Sequence, residues 1–223
     1  MNFDVLYFFE VFPILIKYIP LTLGLAVISM IFAIIIGLIM ALITNKRIPI
    51  IYQLTNVILS FFRGTPMLVL LFLIYYGLPQ LIPSFSIINA ITAAIIGLSI
   101  KNAAYLSEVF RAAINSVDEG QLEACLSIGM TRTQALFRVI FPQAFRNAIP
   151  ATGNIFIGVM KETSLAFTLG IAEIFAQGKM MASASLKYFE TYLAVAVIFW
   201  ILTIVYAFLQ DIVERRVSKA YMK

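Results

Sequence analysis

Charged side chains stand inside several apolar stretches of this chain that are long enough to cross a lipid bilayer. Arg63, Lys101 and Lys161 contribute cations there, and Glu162 contributes a carboxylate next to Lys161. A charge at the bilayer centre costs about 2.5–3.5 kcal/mol on insertion scales, so such groups usually face a partner or a polar cavity. The planar guanidinium of Arg63 can bind both oxygens of a carboxylate, and an adjacent Lys and Glu can bind both ends of a zwitterion. These four residues are therefore expected to surround a binding site near the middle of the membrane.

Two of the apolar stretches carry polar or small residues at i, i+4 and i+7, a spacing that places each set on one helical face. The sets are Lys101, Tyr105 and Glu108 on one stretch, and Asn154, Gly158 and Lys161 on another. For Arg63 the alternative is a structural ion pair or a position at the membrane interface, and for Lys101 it is an internal ion pair. For Lys161 and Glu162 the alternative is side chains that reach the outer membrane surface. With the neighbouring hydroxyl groups included, the candidate substrate-binding residues are Arg63, Thr65, Lys101, Asn154, Lys161, Glu162 and Ser164.

The composition places these residues in an integral membrane protein. Of the 223 residues, 62% are hydrophobic and 12% are charged, and the mean hydropathy is +0.98, whereas soluble domains carry about 25% charged residues. The chain has no histidine and a single cysteine, which excludes Ser–His catalysis, a His-ligated metal and an intrachain disulfide. No two carboxylates lie one turn apart inside a span, as an intramembrane aspartyl enzyme would need. The sequence therefore predicts neither an enzyme nor a metal or nucleic-acid site.

The hydropathy pattern predicts an all-α membrane domain that fills residues 1–223 and crosses the bilayer five times. The predicted spans are about 20–44, 53–78, 87–110, 147–169 and 188–211, with a short amphipathic helix at about 172–185 between the last two. The first apolar run is expected to stay in the mature protein, because Asp4 and Glu10 precede the first basic residue, Lys17, whereas a signal peptide starts basic.

Lysine and arginine positions predict the orientation, since cytoplasmic loops carry an excess of these residues. Ten of the sixteen fall on one side of the predicted spans, three on the other and three within spans. The N-terminus is therefore expected outside, the C-terminus inside, and the polar stretch at 118–150 in the cytoplasm.

That cytoplasmic stretch has a regular spacing of small, acidic and apolar residues. The letters EAC at 123–125 are followed after three residues by Gly129, and after nine more by VIFP at 139–142. This segment, about 118–142, resembles the EAA loop of permease subunits of binding-protein-dependent ABC importers, whose pattern is EAA-x3-G-x9-I-x-L-P. Cys125, Val139 and Phe141 depart from the pattern but remain apolar. An ordinary surface helix on the membrane is the alternative.

Further motifs are similar to the polar-amino-acid branch of that family. They are FRGTP at 62–66, AAYLSEVFR at 103–111, GQLEA at 120–124 and KETSL at 161–165. The resemblance implies the type I ABC importer permease fold, with a coupling helix in the cytoplasmic loop that fits a groove of an ATPase. The coupling residues carried over by position are Gly120, Glu123, Ala124, Gly129 and Pro142. Relatives commonly have Asn where this chain has Lys101.

The resemblance also implies what surrounds the chain. Two cytoplasmic ABC ATPases, a second permease subunit of the same or a similar sequence, and an extracytoplasmic binding protein are expected, in lipid of a bacterial cytoplasmic membrane. The chain contains no G-x-x-x-x-G-K-[ST] loop, so ATP and Mg²⁺ are expected on the partner ATPase and no cofactor on this chain.

The substrate implied by the resemblance is a polar amino acid. Three cations within the spans, against Glu108 and Glu162, favour cystine or another carboxylate-rich amino acid. An ion-coupled carrier or a channel subunit for amino acids is the alternative function, because intramembrane charges also occur in such pathways.

Overall fold

The computed structural model describes residues 3–45 and 49–219, and within them it contains helices and turns but no β-strand. The α-helices are α1 (Val5–Ile16), α2 (Ile19–Asn45), α3 (Pro49–Gly64), α4 (Met67–Phe72), α5 (Leu78–Leu81), α6 (Ala90–Asn115), α7 (Glu119–Ser127), α8 (Arg132–Ala135), α9 (Phe141–Glu162), α10 (Ile174–Ser185) and α11 (Tyr188–Lys219). Wider π turns occupy Leu73–Gly77 and Leu136–Ile140, and tighter 3₁₀ turns occupy Pro83–Ile87 and Thr163–Leu169.

Three helices, α2, α6 and α11, are long and apolar enough to cross a membrane. Two further segments pass the same test only as bent pairs, Pro49–Gly64 with Met67–Leu81, bent by 107°, and Arg132–Leu169 with Ile174–Ser185, bent by 55°. The described residues therefore give three spans, or five if each bent pair is one span. The all-α membrane fold expected from the hydropathy pattern is confirmed.

The sharp bend after α3 lies within the second span predicted at 53–78. Pro66 has no amide hydrogen to donate to the helix ladder and stands in an extended conformation, with ψ of 141°, so the helix cannot continue through it. The carbonyl of Phe61 is satisfied by both the amide and the hydroxyl of Thr65, at 3.0 and 2.7 Å. The sequence FRGTP thus ends one helix and starts another at a steep angle.

The other predicted spans overlap helices that mostly run past the predicted ends, although α6 begins at Ala90, after the predicted start at 87. The predicted segments at 20–44, 87–110, 147–169 and 188–211 correspond to α2, α6, α9 with the following 3₁₀ turn, and α11. The short helix expected at 172–185 is α10, and α1 lies in the apolar run before the first predicted span. Lys46 and Arg47, which the sequence places at the end of the first span, lie outside the described residues.

Small residues let α2, α6 and α9 approach closely and form the centre of the molecule. Ala33, Ala103 and Val159 are fully or almost fully buried in one apolar cluster of these helices. A Cβ at Gly37 would stand 2.9 Å from Cβ of Leu106 and 3.0 Å from the carbonyl oxygen of Ala103. Since lipid provides no hydrophobic drive between helices, such close packing is what holds them together. This core fixes α6 against α9.

The start of α1 is tied to the segment between α10 and α11. Asp4 caps α1 by accepting the amide of Tyr7 at 3.0 Å, and its other carboxylate oxygen lies 2.6 Å from Nζ of Lys187. The amide of Asp4 donates to Glu190 at 3.0 Å. The Lys187 ion pair holds the pKa of Asp4 below its usual range, with help from the amide of Tyr7, and the carboxylate in turn raises the pKa of Lys187.

Candidate functional site

Lys101, Asn102 and Glu162 form a network that joins the middle of α6 to the end of α9. Nζ of Lys101 donates to Oε1 of Glu162 at 2.9 Å, and Nδ2 of Asn102 donates to Oε2 of the same carboxylate at 3.0 Å. The side chain of Lys101 is 12% exposed and that of Glu162 is 27% exposed. Both carboxylate oxygens are therefore engaged by donors from one neighbouring helix. We call these three residues the Lys101 network.

Asn102 belongs to this network although sequence reasoning did not select it. Its side chain is buried, and Nδ2 also donates to the carbonyl of Leu98 at 2.9 Å. The sequence feature that could have indicated Asn102 is its amide side chain directly after Lys101, in a stretch whose next residues are small. A buried amide needs partners, and the carboxylate of Glu162 supplies one of them.

Arg63 lies in a second charged cluster, apart from the Lys101 network. Its Nη1 is 3.2 Å from Oε1 of Glu108, and the other oxygen of Glu108 accepts from Nη2 and Nε of Arg111 at 2.6 and 3.0 Å. Glu108 is seven residues from Lys101, which is about 10 Å along the axis of α6. The structure therefore does not bring Arg63 to the carboxylate that Lys101 binds.

The predicted polar face of α6 nevertheless forms one continuous stripe. Lys101 contacts the end of α9, the hydroxyl of Tyr105 donates to the backbone carbonyl of Arg63 at 3.1 Å, and Glu108 binds the side chain of Arg63. The stripe links the broken end of α3 to the end of α9. Each of its three polar side chains has a partner on another helix.

The polar face of α9 is open by comparison. Asn154 and Lys161 are exposed, and a Cβ added at Gly158 would meet nothing within 4 Å. Lys161 has no ion pair among the described residues. The adjacent Lys161 and Glu162, expected to act as a pair, point to different surroundings, because Glu162 is held against α6. Asn154 and Lys161 are thus the polar groups of this face that a molecule from outside could reach.

Two candidate hydroxyl groups are directed at their own backbone. Oγ1 of Thr65 donates to the carbonyl of Phe61, and Oγ of Ser164 donates to the carbonyl of Lys161, both at 2.7 Å. These bonds satisfy carbonyls at the two helix ends that flank the polar stripe. Thr65 and Ser164 are therefore placed as local helix-end donors in this structure, and their predicted contact with a substrate stays a prediction.

The larger cavities lie on another side of α9 and are apolar. One, of about 280 Å³, is lined by apolar side chains of α2, α6 and the region around α9, including Ile34, Phe110 and Phe145. A second, of about 320 Å³, shares these three residues. Phe145 is nine residues before Asn154, about two and a half turns, so the two point in opposite directions from the helix. These cavities do not offer the charged groups of the Lys101 network.

The segment at 118–142 folds as the expected short helix, α7, followed by a turn. Asp118 caps α7 by accepting the amide of Gly120 at 2.9 Å, and a Cβ on Gly120 would stand 2.7 Å from that carboxylate oxygen. Glu123 and Ala124 are exposed on α7, while Cys125 is buried. Glu123 and Ala124 therefore face away from the protein, and the face of α7 that carries Cys125 packs against it.

Gly129, a coupling residue carried over by the resemblance, lies just past the end of α7. Its φ is +83°, in the left-handed region that favours glycine. The amide of Gly129 donates to the carbonyl of Leu126 and that of Met130 to the carbonyl of Cys125, each at 3.0 Å. These two bonds make a Schellman motif. Thr131 and Gln134 then form a capping box that starts α8.

Pro142 stands directly after a widened turn of helix. The π turn at Leu136–Ile140 closes with the amide of Phe141 donating to the carbonyl of Leu136. Because Pro142 has no amide to donate and its ring crowds the preceding turn, an ordinary α-helical turn is disfavoured here. Two side-chain bonds tie α7 and the end of α6 to α9: Gln143 to Gln121 at 3.3 Å, and Asn147 to Ser116 at 2.9 Å.

Comparison with known proteins gives consistent matches. Residues 33–219 match the family model described as binding-protein-dependent transport system inner membrane component. The "Probable amino-acid permease protein YxeN" of Bacillus subtilis is 68% identical over 210 residues, 94% of each chain. The "Probable amino-acid ABC transporter permease protein PatM" of Vibrio harveyi is 48% identical over the whole of both chains. A crystal structure of an amino acid ABC transporter with histidines has 36% identity, a TM-score of 0.88, and coverage of 97% of this chain and 100% of that one.

Proposed function

Because the chain belongs to the family of binding-protein-dependent transport system inner membrane components, we propose that a polar amino acid crosses the membrane along its charged α6–α9 face by ATP-driven alternating access. The chain is a multi-pass amino-acid ABC transporter permease of the inner membrane. The observation that carries the proposed route is the Lys101 network beside the open residues Asn154 and Lys161. Polar groups kept in a bilayer usually mark a pathway.

Coupling to ATP is proposed to run through α7. Glu123 and Ala124 are exposed on this helix, and the Gln121–Gln143 and Ser116–Asn147 bonds connect it and the end of α6 to α9. A partner that moves α7 would therefore also displace α9, which carries Lys161 and Glu162. The partners proposed are two cytoplasmic ATPases, which bind ATP and Mg²⁺, a second permease subunit and an extracytoplasmic binding protein.

The orientation proposed places the N-terminus outside and the C-terminus in the cytoplasm of a bacterium. The support is the clustering of arginine near the ends of α6, α9 and α11 that would face the cytoplasm. These residues are Arg111, Arg132, Arg138, Arg146, Arg215 and Arg216. The opposite side has Lys17, Lys179 and Lys187.

The substrate proposed is cystine or another carboxylate-rich amino acid. Within the predicted spans, Arg63 binds Glu108 and Lys101 binds Glu162, so Lys161 is the exposed cation that remains on the open face. An ammonium group with no internal counter-ion can bind a substrate carboxylate. The charge balance of the face therefore favours an anionic ligand group over a cationic one.

The test is ATPase activity and uptake in proteoliposomes that contain this chain, its ATPase, its partner permease if there is one, and its binding protein. Cystine, glutamate, glutamine, arginine and histidine would be compared. We expect one carboxylate-rich amino acid to stimulate ATP hydrolysis and to accumulate inside only when ATP is present on the ATPase side. Accumulation without ATP would instead favour an ion-coupled carrier, and stimulation by arginine alone would contradict the proposed substrate.

A further inference from the structure

We infer that Lys101 is a specificity-determining residue, a built-in counter-ion that occupies Glu162 and excludes amino acids with cationic side chains from this pathway. The inference rests on the proposed function, because it assumes that substrate passes the α6–α9 face. It goes further by assigning a role in substrate selection to Lys101, whose ammonium group binds the carboxylate of Glu162. The substrate class it predicts is a polar amino acid with a neutral or acidic side chain.

Both oxygens of the Glu162 carboxylate already have donors within the chain. A free carboxylate on a transport pathway would attract the ammonium or guanidinium group of a lysine or arginine substrate. In this chain one oxygen of Glu162 lies 2.9 Å from Nζ of Lys101, and the other lies 3.0 Å from Nδ2 of Asn102. The charge of Glu162 is therefore balanced within the chain, and its two oxygens already accept well-formed hydrogen bonds. A cationic substrate would have to compete with Lys101 for this group.

Displacing Lys101 from Glu162 would leave its ammonium group without a counter-ion in largely buried surroundings. Its side chain is only 12% exposed, and its neighbours on α6, Ala103 and Ala104, are buried against other helices. A lysine separated from its counter-ion in such surroundings is an uncompensated buried charge, which is strongly unfavourable. The competition therefore favours the internal lysine, which is also tethered at a high effective concentration.

The summed charge of Lys101, Glu162 and Lys161 also favours an anionic substrate group. The Lys101–Glu162 pair is neutral, and Lys161 on the next residue of α9 is exposed. The combined face thus carries one excess positive charge from these three groups. A second cation on the substrate would be repelled by it, whereas a substrate carboxylate would be attracted. At short distance this interaction favours a substrate carboxylate over a second cation.

The experiment measures equilibrium binding of radiolabelled glutamate, cystine and arginine to the purified permease–ATPase complex without its binding protein, so that the selectivity of the binding protein does not enter. The key variant is Lys101→Asn, with Lys101→Arg as the charge-conserving form. We expect the wild type and Lys101→Arg to prefer the carboxylate-rich amino acid. We expect Lys101→Asn to gain affinity for arginine by at least about tenfold, because the carboxylate of Glu162 then keeps its bond to Asn102 but has no counter-ion.

Two further variants keep the test decisive. Lys161→Gln removes the same charge from a group that does not bind Glu162, so it should weaken carboxylate binding without the gain in arginine affinity. The exchange Lys101→Glu with Glu162→Lys restores the pair and should keep arginine excluded, which covers the case in which Lys101→Asn does not fold. Equal arginine affinity in the wild type and Lys101→Asn, or arginine binding by the exchanged pair, would overturn the inference.

Failure of the inference and failure of the proposed function give different results. If the wild-type complex binds one of these amino acids but Lys101→Asn shows the same selectivity as the wild type, the pathway stands and the role of Lys101 is wrong. If the wild type binds none of them and its ATPase activity with the binding protein ignores every amino acid, the proposed function itself is wrong.

Discussion

The charged side chains of the Lys101 network are paired and largely buried, whereas those of α7 are exposed and unpaired among the described residues. In the network, a carboxylate from α9 is held by two donors from α6, and most of the surface of these side chains is buried. On α7, Glu119 and Glu123 face solvent and have no ion pair among the described residues. A polar group in the bilayer core has no water to bond, so its partner must lie within the protein. A polar group in water is hydrated and stays available to bind another protein. The charges of the Lys101 network are therefore paired within the chain, whereas those of α7 are available for contact with a partner protein.

The largest change in stability is expected when the carboxylate of Glu162 is removed from the Lys101 network. Glu162→Ala leaves Lys101 without its counter-ion, and we expect a loss of about 2–3 kcal/mol in the free energy of unfolding. This is below the 3–5 kcal/mol typical of fully buried pairs, since Glu162 is 27% exposed. Thermal unfolding in detergent measures the change.

A double-mutant cycle shows whether the loss comes from the unpaired lysine. Lys101→Met together with Glu162→Ala should be more stable than Glu162→Ala alone, because no buried charge is then left without a partner. If the double variant instead loses the sum of the two single losses, the pair is not coupled and the description of the network is wrong.

The opposite behaviour is expected for the acidic residue at the centre of α7. Glu123→Ala should leave the melting temperature nearly unchanged, because changes at exposed sites usually stay within about 0.5 kcal/mol. It should lower substrate-stimulated ATP hydrolysis at least tenfold, which is about 1.4 kcal/mol of coupling. ATPase assays in proteoliposomes measure this.

The matched control is Glu119→Ala on the same helix. It removes an exposed carboxylate one turn earlier, outside the EAA pattern, and is expected to keep stimulation within about twofold of the wild type. Equal losses in the two variants would mean that the acidity of α7, and not the position of Glu123, matters for its partner.

A smaller effect is expected where the backbone of α7 ends. Gly129→Ala forces a Cβ into the left-handed conformation at φ +83°, which costs about 1 kcal/mol. The cost should appear as faster amide hydrogen exchange at Met130, whose bond to Cys125 closes the helix end. Gly24→Ala is the control, because Gly24 lies inside α2 with open space around its Cβ position and should not lose stability. Unchanged exchange in Gly129→Ala would show that the motif is not strained by a side chain.

The same contrast explains what sequence could and could not predict. The apolar segments follow from hydropathy, which acts locally, and a helix in the segment at 118–142 follows from its resemblance to the EAA loop; the structure places α7 at Glu119–Ser127 with Asp118 as its cap. The partner of Lys101 could not be predicted, because Glu162 is 61 residues away and the choice among Glu108, Glu162 and a substrate depends on how α6 crosses α9. Gly129 was selected by its place in the loop pattern, which does not reveal its left-handed backbone conformation at the end of α7; its part in coupling stays a prediction.

The smallest effect is expected where Asp4 and Lys187 make an ion pair that is open to water. The pair lowers the pKa of Asp4 from 3.8, so its stabilising effect is present above about pH 3.8 and is lost as the pH falls through the lower, folded-state value. The melting temperature of the wild type should therefore exceed that of Asp4→Asn at neutral pH, and the difference should shrink as the pH is lowered past 3.8. Lys187→Gln should behave like Asp4→Asn at neutral pH, because it removes the other half of the same pair. A difference that stays constant down to acidic pH would show that Asp4 acts as an uncharged cap of α1, accepting the amide of Tyr7, and that the ion pair at this water-exposed site adds nothing to folding.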